Sequence, residues 1–141
     1  YTITYKKGTL IAVSYDEAGN KTDSCTLVSA GDNTKLTLRP DKTEMKADNE
    51  DMVFVDVSLT DNMGIVKNLE DQNVTVQVTG AAKLAGIGSA NPITEESYLG
   101  DTVSTWNGRM GIWIRSNGHK GIAYIQVKTD TLEDTLKIKV F

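Results

Sequence analysis

The side chains of this chain that could carry acid–base chemistry are carboxylates in residues 80–109, where the pattern of the neighbouring segments breaks down. Glu95, Glu96 and Asp101 lie there, and two carboxylates that flank a glycosidic bond can act as acid and as nucleophile or base. Glu95 and Glu96 are adjacent, so their side chains would point apart in an extended chain. No further carboxylate is anchored on a rigid element at a defined separation. The spacing therefore argues against a glycosidase centre here.

Nucleophiles and metal-binding side chains are scarce, since cysteine and histidine occur once each. Cys25 alone can form neither an internal disulfide nor a multi-cysteine zinc site, and no basic residue adjoins it. We expect Cys25 to be a small buried hydrophobic residue. His119 lies in the turn-like segment 116–121, and the chain has no Gly-x-Ser-x-Gly motif to expose a serine nucleophile. We therefore predict that His119 is a turn residue.

Two other patterns contain groups that bind ligands in other proteins. The Gly86-x-Gly88 spacing resembles part of a phosphate-binding loop, but neither a helix-forming segment nor a Lys-Ser/Thr pair follows it. Oxygen ligands for calcium stand close together in residues 48–51 and 61–62, without the spacing of an EF-hand. We interpret these acidic segments as solvated turns, and we expect neither a metal nor a cofactor.

The composition describes a weakly acidic domain. The chain has 141 residues, with 15 Lys and Arg against 19 Asp and Glu, and a formal net charge of −4. Without a basic block, it is poorly suited to hold nucleic acid or an anionic membrane surface electrostatically. No apolar run approaches the roughly 20 residues that span a bilayer. We expect no nucleic-acid partner and no membrane insertion.

The elements that must position these groups are strands, because apolar residues recur with a period of two along most of the chain. The clearest case places Val53, Val55, Val57 and Leu59 on one face. No window of a dozen residues has helical spacing with a cap. The alternating segments are 52–59, 73–79, 110–114, 123–127 and 136–140. We predict an all-β fold, an immunoglobulin-like antiparallel β-sandwich that lacks the Cys…Trp…Cys spacing of antibody domains.

A domain boundary is predicted near residues 30–34. Before it, segments 8–15 and 21–28 form a hairpin around a turn rich in Asp, Gly and Asn. A hairpin alone has too little core to be stable in water. We therefore expect residues 1–31 to be the last strands of a preceding small β-domain, and the more mobile part. We expect residues 32–141 to form the sandwich. The chain begins with Tyr, in the strand-like run 1–5, which suggests a piece of a longer protein.

Four aromatic side chains are candidates for contact with a sugar or with another domain. Trp113 falls on the strand face opposite its apolar neighbours, and so does Tyr124, so we expect both to be exposed. Tyr98 and Trp106 lie in the irregular segment, where we expect them to fold back with Leu99 over one edge of the sandwich. Flat aromatic rings can stack on sugar rings, but exposed aromatics mark interfaces of any kind.

The irregular segment carries a family resemblance. Its glycine-rich loop is followed by a Glu-Glu-Ser-Tyr run, a Trp-Asn-Gly turn and a strand ending in Arg-Ser, and these occupy residues 86–92, 95–98, 106–109 and 110–116. In this order they resemble the last immunoglobulin-like domain of the β-galactosidase-type enzymes of glycoside hydrolase family 2. Residues 38–48 with 52–55 are similar to the opening of that domain. Residues 5–31 resemble the end of the small β-domain before it.

The resemblance implies a non-catalytic C-terminal accessory domain of a bacterial, periplasmic or secreted glycoside hydrolase. In such enzymes the catalytic glutamates belong to a (β/α)₈ barrel, and this chain has no alternation of strands and helices, so no catalytic residue is carried over. The implied partners are the neighbouring domains of the parent chain. Carbohydrate is a further implied partner.

Two alternatives remain open. One is a carbohydrate-binding module that uses exposed aromatics. The other is a repeat of a bacterial adhesin or surface layer, although adhesin arrays should show internal repetition and residues 1–30 are not repeated in 32–141. The sequence upstream of the chain would separate these hypotheses, because a barrel and a tandem array have different patterns.

Overall fold

Eleven β-strands and their connections account for residues 4–141, the part of the chain that the computed structural model describes. Residues 1–3 of the predicted opening strand lie outside that part. The strands are β1 (Thr9–Tyr15), β2 (Lys21–Val28), β3 (Lys35–Pro40), β4 (Glu44–Met45), β5 (Met52–Thr60), β6 (Asn73–Gly80), β7 (Ala82–Gly88), β8 (Thr102–Ser104), β9 (Arg109–Ser116), β10 (Gly121–Lys128) and β11 (Glu133–Val140).

The strands after the predicted boundary form two packed sheets. One sheet has four strands in the order β3-β5-β9-β7, and the other has five in the order β4-β11-β10-β6-β8. Neighbouring strands are antiparallel except for the short pairing of β4 with β11. Strands β1 and β2 form a separate two-stranded sheet. The all-β sandwich predicted from the sequence is confirmed.

The core lies between the two sheets and consists of the inward rows predicted from the alternation. In β5 the four apolar residues at 53, 55, 57 and 59 are fully buried. Ile112 and Ile114 lie beside them on the neighbouring strand β9 and point to the same side of the sheet. Ile125 and Val127 of β10 come from the opposite sheet and are also fully buried. Burying each such side chain stabilises the fold by about 1.5–3 kcal/mol. Val78 and Leu136 are only half-buried, at the margin of the core.

The break in the alternation after residue 80 comes in part from a β-bulge. The segment that seemed to leave the strand pattern is β7, which carries a β-bulge between Leu84 and Gly86. The extra residue puts Leu84 and Ile87 on the inward side, opposite Ile114 and Ile112, although they are three positions apart. The long loop begins only after Gly88. The first part of the segment in which the alternation breaks down is therefore a bulged strand.

The hairpin of β1 and β2 differs from the sandwich because every residue of both strands is exposed. Its predicted turn is confirmed: Asp16 accepts hydrogen bonds from the backbone and side-chain amides of Asn20, and Gly19 has a φ of 81°. Cys25 is exposed, so the expectation of a buried thiol is wrong. The physical reason is that neither face of the hairpin is covered by a second layer within residues 4–141.

Two glycines with almost the same backbone conformation allow the packing of the sandwich to be tested. Gly80 and Gly64 have φ values of 83° and 80°, and a Cβ at Gly80 would lie 2.1 Å from the carbonyl oxygen of Ile122, whereas nothing lies within 4 Å at Gly64. We predict that Gly64→Ala lowers the free energy of unfolding by about 1–2 kcal/mol, from the left-handed φ alone. Gly80→Ala should cost about 3 kcal/mol or more, because β10 must move. Urea unfolding of both variants measures the difference, and equal losses would contradict this packing.

Candidate functional site

The loop of residues 89–101 connects the edges of the two sheets. The amide of Ile87 in β7 donates to the carbonyl oxygen of Tyr98 at 2.9 Å, and the amide of Val76 in β6 donates to that of Asp101 at 2.8 Å. The loop therefore hydrogen-bonds to the four-stranded sheet first and to the five-stranded sheet three residues later. Covering an exposed strand edge in this way removes a template for unwanted pairing.

Glu96 is the side chain that anchors the loop. One of its carboxylate oxygens accepts hydrogen bonds from the backbone amide and the hydroxyl of Ser104, both at 2.8 Å, and the other accepts from the hydroxyl of Thr94 at 2.9 Å. The backbone amide of Ser104 is the main cause that holds the pKa of Glu96 below its ordinary value, and the two hydroxyls add to it. A catalytic acid needs the opposite shift. Glu95 beside it is exposed.

Trp106 begins a tight turn that leads into β9. Asn107 and Gly108 have φ values of 52° and 70°, and the backbones of Trp106 and Arg109 bond to each other in both directions. Positive φ at both central residues is typical of a two-residue type I′ hairpin. Asp71 secures the turn by accepting a bond from the amide of Gly108 at 3.0 Å. The Trp106 ring is partly exposed at this end of the sandwich.

Trp113 and Tyr124 are both 42% exposed, as the alternation predicted, but they belong to different sheets. Trp113 lies on the outer face of the four-stranded sheet. Tyr124 lies on the outer face of the five-stranded sheet, where the ammonium of Lys137 stands 5.7 Å from the centre of its ring. The four aromatic candidates from the sequence therefore do not form one site.

Tyr98 joins Trp113 on one face, together with a residue absent from the sequence-based candidates, Phe54. The ring of Tyr98 lies over Gly88, where an added Cβ would come within 2.7 Å of it. Gly88 pairs with Gly111 of β9, and a Cβ added at Gly111 would lie 2.6 Å from the Phe54 ring. The ring centres of Phe54 and Trp113 are 5.0 Å apart. We call Phe54, Tyr98 and Trp113 the aromatic face.

The signal for Phe54 is present in the sequence. Phe54 lies in the alternating segment 52–59, where the other outward positions carry Met52, Asp56 and Ser58. A large aromatic ring at an outward strand position is unusual for a solvated surface. What the sequence does not reveal is that β5 and β9 are neighbours with Phe54 directly opposite Trp113.

The hairpin joins the sandwich through a junction built around Asp61. One carboxylate oxygen of Asp61 accepts from the backbone amide of Gly31 at 2.7 Å, and the other accepts from those of Met63 and Ile65 at 2.8 Å. These bonds, that of Gly31 foremost, lower the pKa of Asp61. The ion pair of Lys7 with Asp32 also spans the junction.

A groove of about 910 Å³ lies at this junction, between the base of the hairpin and residues 66–70. Leu10, Leu27 and Val28 line it from the hairpin, and Leu69 lines it from the sandwich. Lys67 lies at its wall, where its ammonium donates to the carbonyl oxygen of Asp32 at 3.0 Å and pairs with Glu70 at 2.8 Å. The hairpin side of the groove therefore combines these apolar residues with polar ones that include Lys7 and Ser29.

The remaining sequence candidates lie in turns. The Asp48 carboxylate accepts from the amides of Glu50 and Asp51, which lowers its pKa, and these bonds close the turn. His119 is an exposed residue of the connection between β9 and β10. In residues 4–141 no three His, Cys, Asp or Glu side chains converge as a metal site would require. No helix in that range is both long and apolar enough to cross a bilayer.

The chain is similar in sequence to a known protein family. Residues 36–136 match the family model described as glycoside hydrolase family 2 C-terminal domain 5. The β-galactosidase BoGH2A of Bacteroides ovatus is 24% identical over 136 residues, which are 96% of this chain and 16% of that protein.

Solved structures agree with this match. A glycosyl hydrolase family 2 member from Bacteroides cellulosilyticus superposes with a TM-score of 0.92 at 32% identity, covering 99% of this chain and 18% of that one. A β-glycosidase from Bacteroides vulgatus has a TM-score of 0.85 at 22% identity, with the same coverage, and this likeness concerns the fold alone. The chain thus spans 16–18% of the length of these three relatives.

The anchoring role of Glu96 leads to a stability prediction. We expect Glu96→Ala to lower the free energy of unfolding by about 2 kcal/mol, because it leaves the Ser104 amide and two hydroxyls without their charged acceptor. Glu95→Ala is the matched control, and as an exposed neighbour it should change stability by no more than about 0.5 kcal/mol. Chemical denaturation of both variants checks this, and an equal effect of the two would show that the carboxylate does not hold the loop.

The same carboxylate predicts a pH dependence. Because the pKa of Glu96 is lower in the folded state than in the unfolded state, the unfolded state binds the proton first and stability falls with decreasing pH. The contribution of Glu96 should be complete above about pH 5 and should be lost as the pH falls below about 4. The stability difference between the native chain and Glu96→Gln, measured from pH 7 to pH 3, should shrink over that range. A constant difference would contradict the assignment.

Proposed function

The chain belongs to the family described as glycoside hydrolase family 2 C-terminal domain 5, and on this premise we propose that it serves as a non-catalytic accessory domain of a longer glycoside hydrolase. Its role in this proposal is structural: it packs on the neighbouring domains of the parent chain. The observation that carries the proposal is the family match over residues 36–136, combined with relatives of which the chain spans 16–18%.

The activity belongs to the parent chain in this proposal. Two of the relatives are named as a β-galactosidase and a β-glycosidase, which supports a parent that hydrolyses O-glycosidic bonds and is of the β-galactosidase type. The lowered pKa of Glu96 and its hydrogen bonds with Ser104 and Thr94 are consistent with chemistry performed elsewhere in the parent. The relatives come from Bacteroides species, and a periplasmic or secreted bacterial location completes the proposal.

The domain division is part of the same proposal. Residues 1–31 would complete a preceding small β-domain, and residues 32–141 would form the accessory sandwich. Support comes from the hairpin, which carries Ile11 and Val13 on one face and Leu10 and Leu27 on the other, all of them exposed. Strands that are apolar on both faces are typical of sheets covered on both sides. A two-stranded hairpin is also marginal by itself.

The junction around Asp61 explains how the sandwich could be held in a fixed orientation relative to the hairpin. The bond from the Gly31 amide to Asp61 and the pair of Lys7 with Asp32 join the segment between the two units to the sandwich at several points. A linker held this way orients the hairpin rather than letting it rotate freely. An accessory domain with a packing role needs such an orientation.

The absence of catalysis in the chain is directly testable. We expect the purified 141-residue chain to release no product from an aryl β-galactoside above the buffer rate, while a longer protein that includes the barrel does so. The measurement is release of the chromogenic aryl group, repeated after a second purification. Turnover by the short chain that survives repurification would refute the proposal.

The proposed position of the hairpin predicts a change in thiol reactivity. Cys25 is exposed in the 141-residue chain, and a Ser24→Cys, Cys25→Ser variant places a thiol on the opposite face of the hairpin. In the longer protein we expect at least one of these thiols to react with a maleimide at least about ten-fold more slowly than in the 141-residue chain, because the preceding domain covers it.

The control for this experiment is a thiol at Thr131, an exposed residue of the turn before β11, introduced in the Cys25→Ser background. It should react at the same rate in both chain lengths. Mass mapping of the labelled peptides identifies each site. Equal reactivity of Cys25 and of the thiol at Ser24 in both chains would contradict the assignment of residues 1–31 to a preceding domain.

A further inference from the structure

The outer face of the four-stranded sheet carries two cations in direct cross-strand opposition. Lys83 of β7 pairs in register with Arg115 of β9, and both side chains are exposed. Within residues 4–141 neither forms an ion pair. Like charges directly opposite each other destabilise a sheet. This arrangement stands out in a chain whose net charge is −4.

Three acidic groups around this face already have partners. Asp56 pairs with Arg109 at 3.2 Å, and Arg39 stands opposite Asp56 in the cross-strand register. At the rim, Asp41 accepts from the Phe54 amide, and Asp51 pairs with a lysine and accepts from backbone amides. None of these three carboxylates forms an ion pair with Lys83 or Arg115 in residues 4–141.

The aromatic face adjoins these cations. Trp113 lies two residues before Arg115 on the same side of β9, about 7 Å along the strand, and Phe54 lies directly across from Trp113. Gly88 and Gly111, under the rings of Tyr98 and Phe54, have no positive φ. Their lack of a side chain is thus required by space and not by backbone conformation. The two glycines let the rings approach the sheet.

The position of the aromatic face separates it from the hairpin junction. Thr60, at the end of β5, is the residue of that strand nearest the junction. Phe54, which pairs with Trp113, lies six residues before Thr60 on the same strand. At about 3.3 Å per residue the separation is about 20 Å. The groove at the base of the hairpin is lined by other residues. The junction therefore leaves the aromatic face uncovered in this chain.

We propose that this face binds an acidic glycan, a sugar chain that carries carboxylate or sulfate groups. The ring of Trp113 would stack on the C–H face of a sugar, because the negative face of an aromatic ring attracts weakly positive hydrogens. The Phe54 ring, tilted by 53° to it, would contact the edge of the same sugar. Arg115 and Lys83 would pair with the anionic substituent of the adjoining sugar. The choice of a glycan over an acidic protein surface rests on the proposed function as part of a glycoside hydrolase.

Isothermal titration of the 141-residue chain with defined probes tests this inference. The probes are a short oligogalacturonate, which carries carboxylates, a sulfated galactan oligosaccharide, a neutral galactan oligosaccharide and poly-L-glutamate. We expect at least one of the two acidic glycans to bind, with an affinity that falls as the salt concentration rises. Whichever of the two binds identifies the anionic group.

Variants of the two outer faces provide matched controls. Trp113→Ala should weaken glycan binding about ten-fold, and the Lys83→Gln, Arg115→Gln double variant should weaken it by a similar factor and remove the salt dependence. Tyr124→Ala and Lys137→Gln, an equally exposed tyrosine and an exposed lysine of the five-stranded sheet, should bind as the native chain does. Circular dichroism confirms folding, and if Trp113→Ala unfolds, the charge variant decides.

Several results would overturn the inference. They are no binding of either acidic glycan, equal binding of the neutral galactan, binding that is unchanged in Trp113→Ala and the charge variant, and binding of poly-L-glutamate alone. The last result would assign the face to an acidic protein partner. Failure here leaves the accessory role standing, because that role is measured by thiol protection of the hairpin, which does not depend on glycan binding.

Discussion

Apolar side chains packed between the two sheets hold this domain together, and the rest of its surface follows from how they are buried. Val55, Ile112 and Ile125 are among the residues with no exposed area, and each contributes about 1.5–3 kcal/mol. Successive residues of a strand point to opposite sides. Burying one row of β5 therefore exposes the alternate row, and a slip of one residue would exchange the two. The outward row, which includes Phe54, is in this way a consequence of the core.

At the edges of the sheets, the packing of the core leaves backbone hydrogen-bonding groups without a neighbouring strand. At one edge, the loop of residues 89–101 bonds to β7 through Tyr98 and to β6 through Asp101. Glu96 secures the loop to Ser104, the last residue of β8. The same loop carries the Tyr98 ring over Gly88. A segment whose carboxylates suggested chemistry thus closes a sheet edge, and it contributes one ring of the aromatic face.

The hairpin of β1 and β2 has the same alternation of side chains as the sandwich, but its apolar residues are not buried. It has the alternation and the turn of a stable element, yet its apolar residues on both faces, Leu10 and Ile11 among them, remain exposed. Burial of Cys25 was expected from its residue type, and this expectation failed because burial depends on a second layer, which the described part of the chain does not provide. Family membership and the hairpin together support a domain that functions within a longer protein.

The sequence by itself determined what depends on neighbouring residues: the strands of period two, the inward rows of β5, β9 and β10, the turn at Asp16, and the absence of a helical pattern. The motifs around residues 86–116 also indicated the family. Only the tertiary structure decided that Phe54 and Tyr98 join Trp113, that Tyr124 lies on the other sheet, and that Lys83 opposes Arg115. These facts depend on strand order, register and the bulge in β7. Residues far apart in the chain set those features through the burial they achieve together, and no local pattern encodes that.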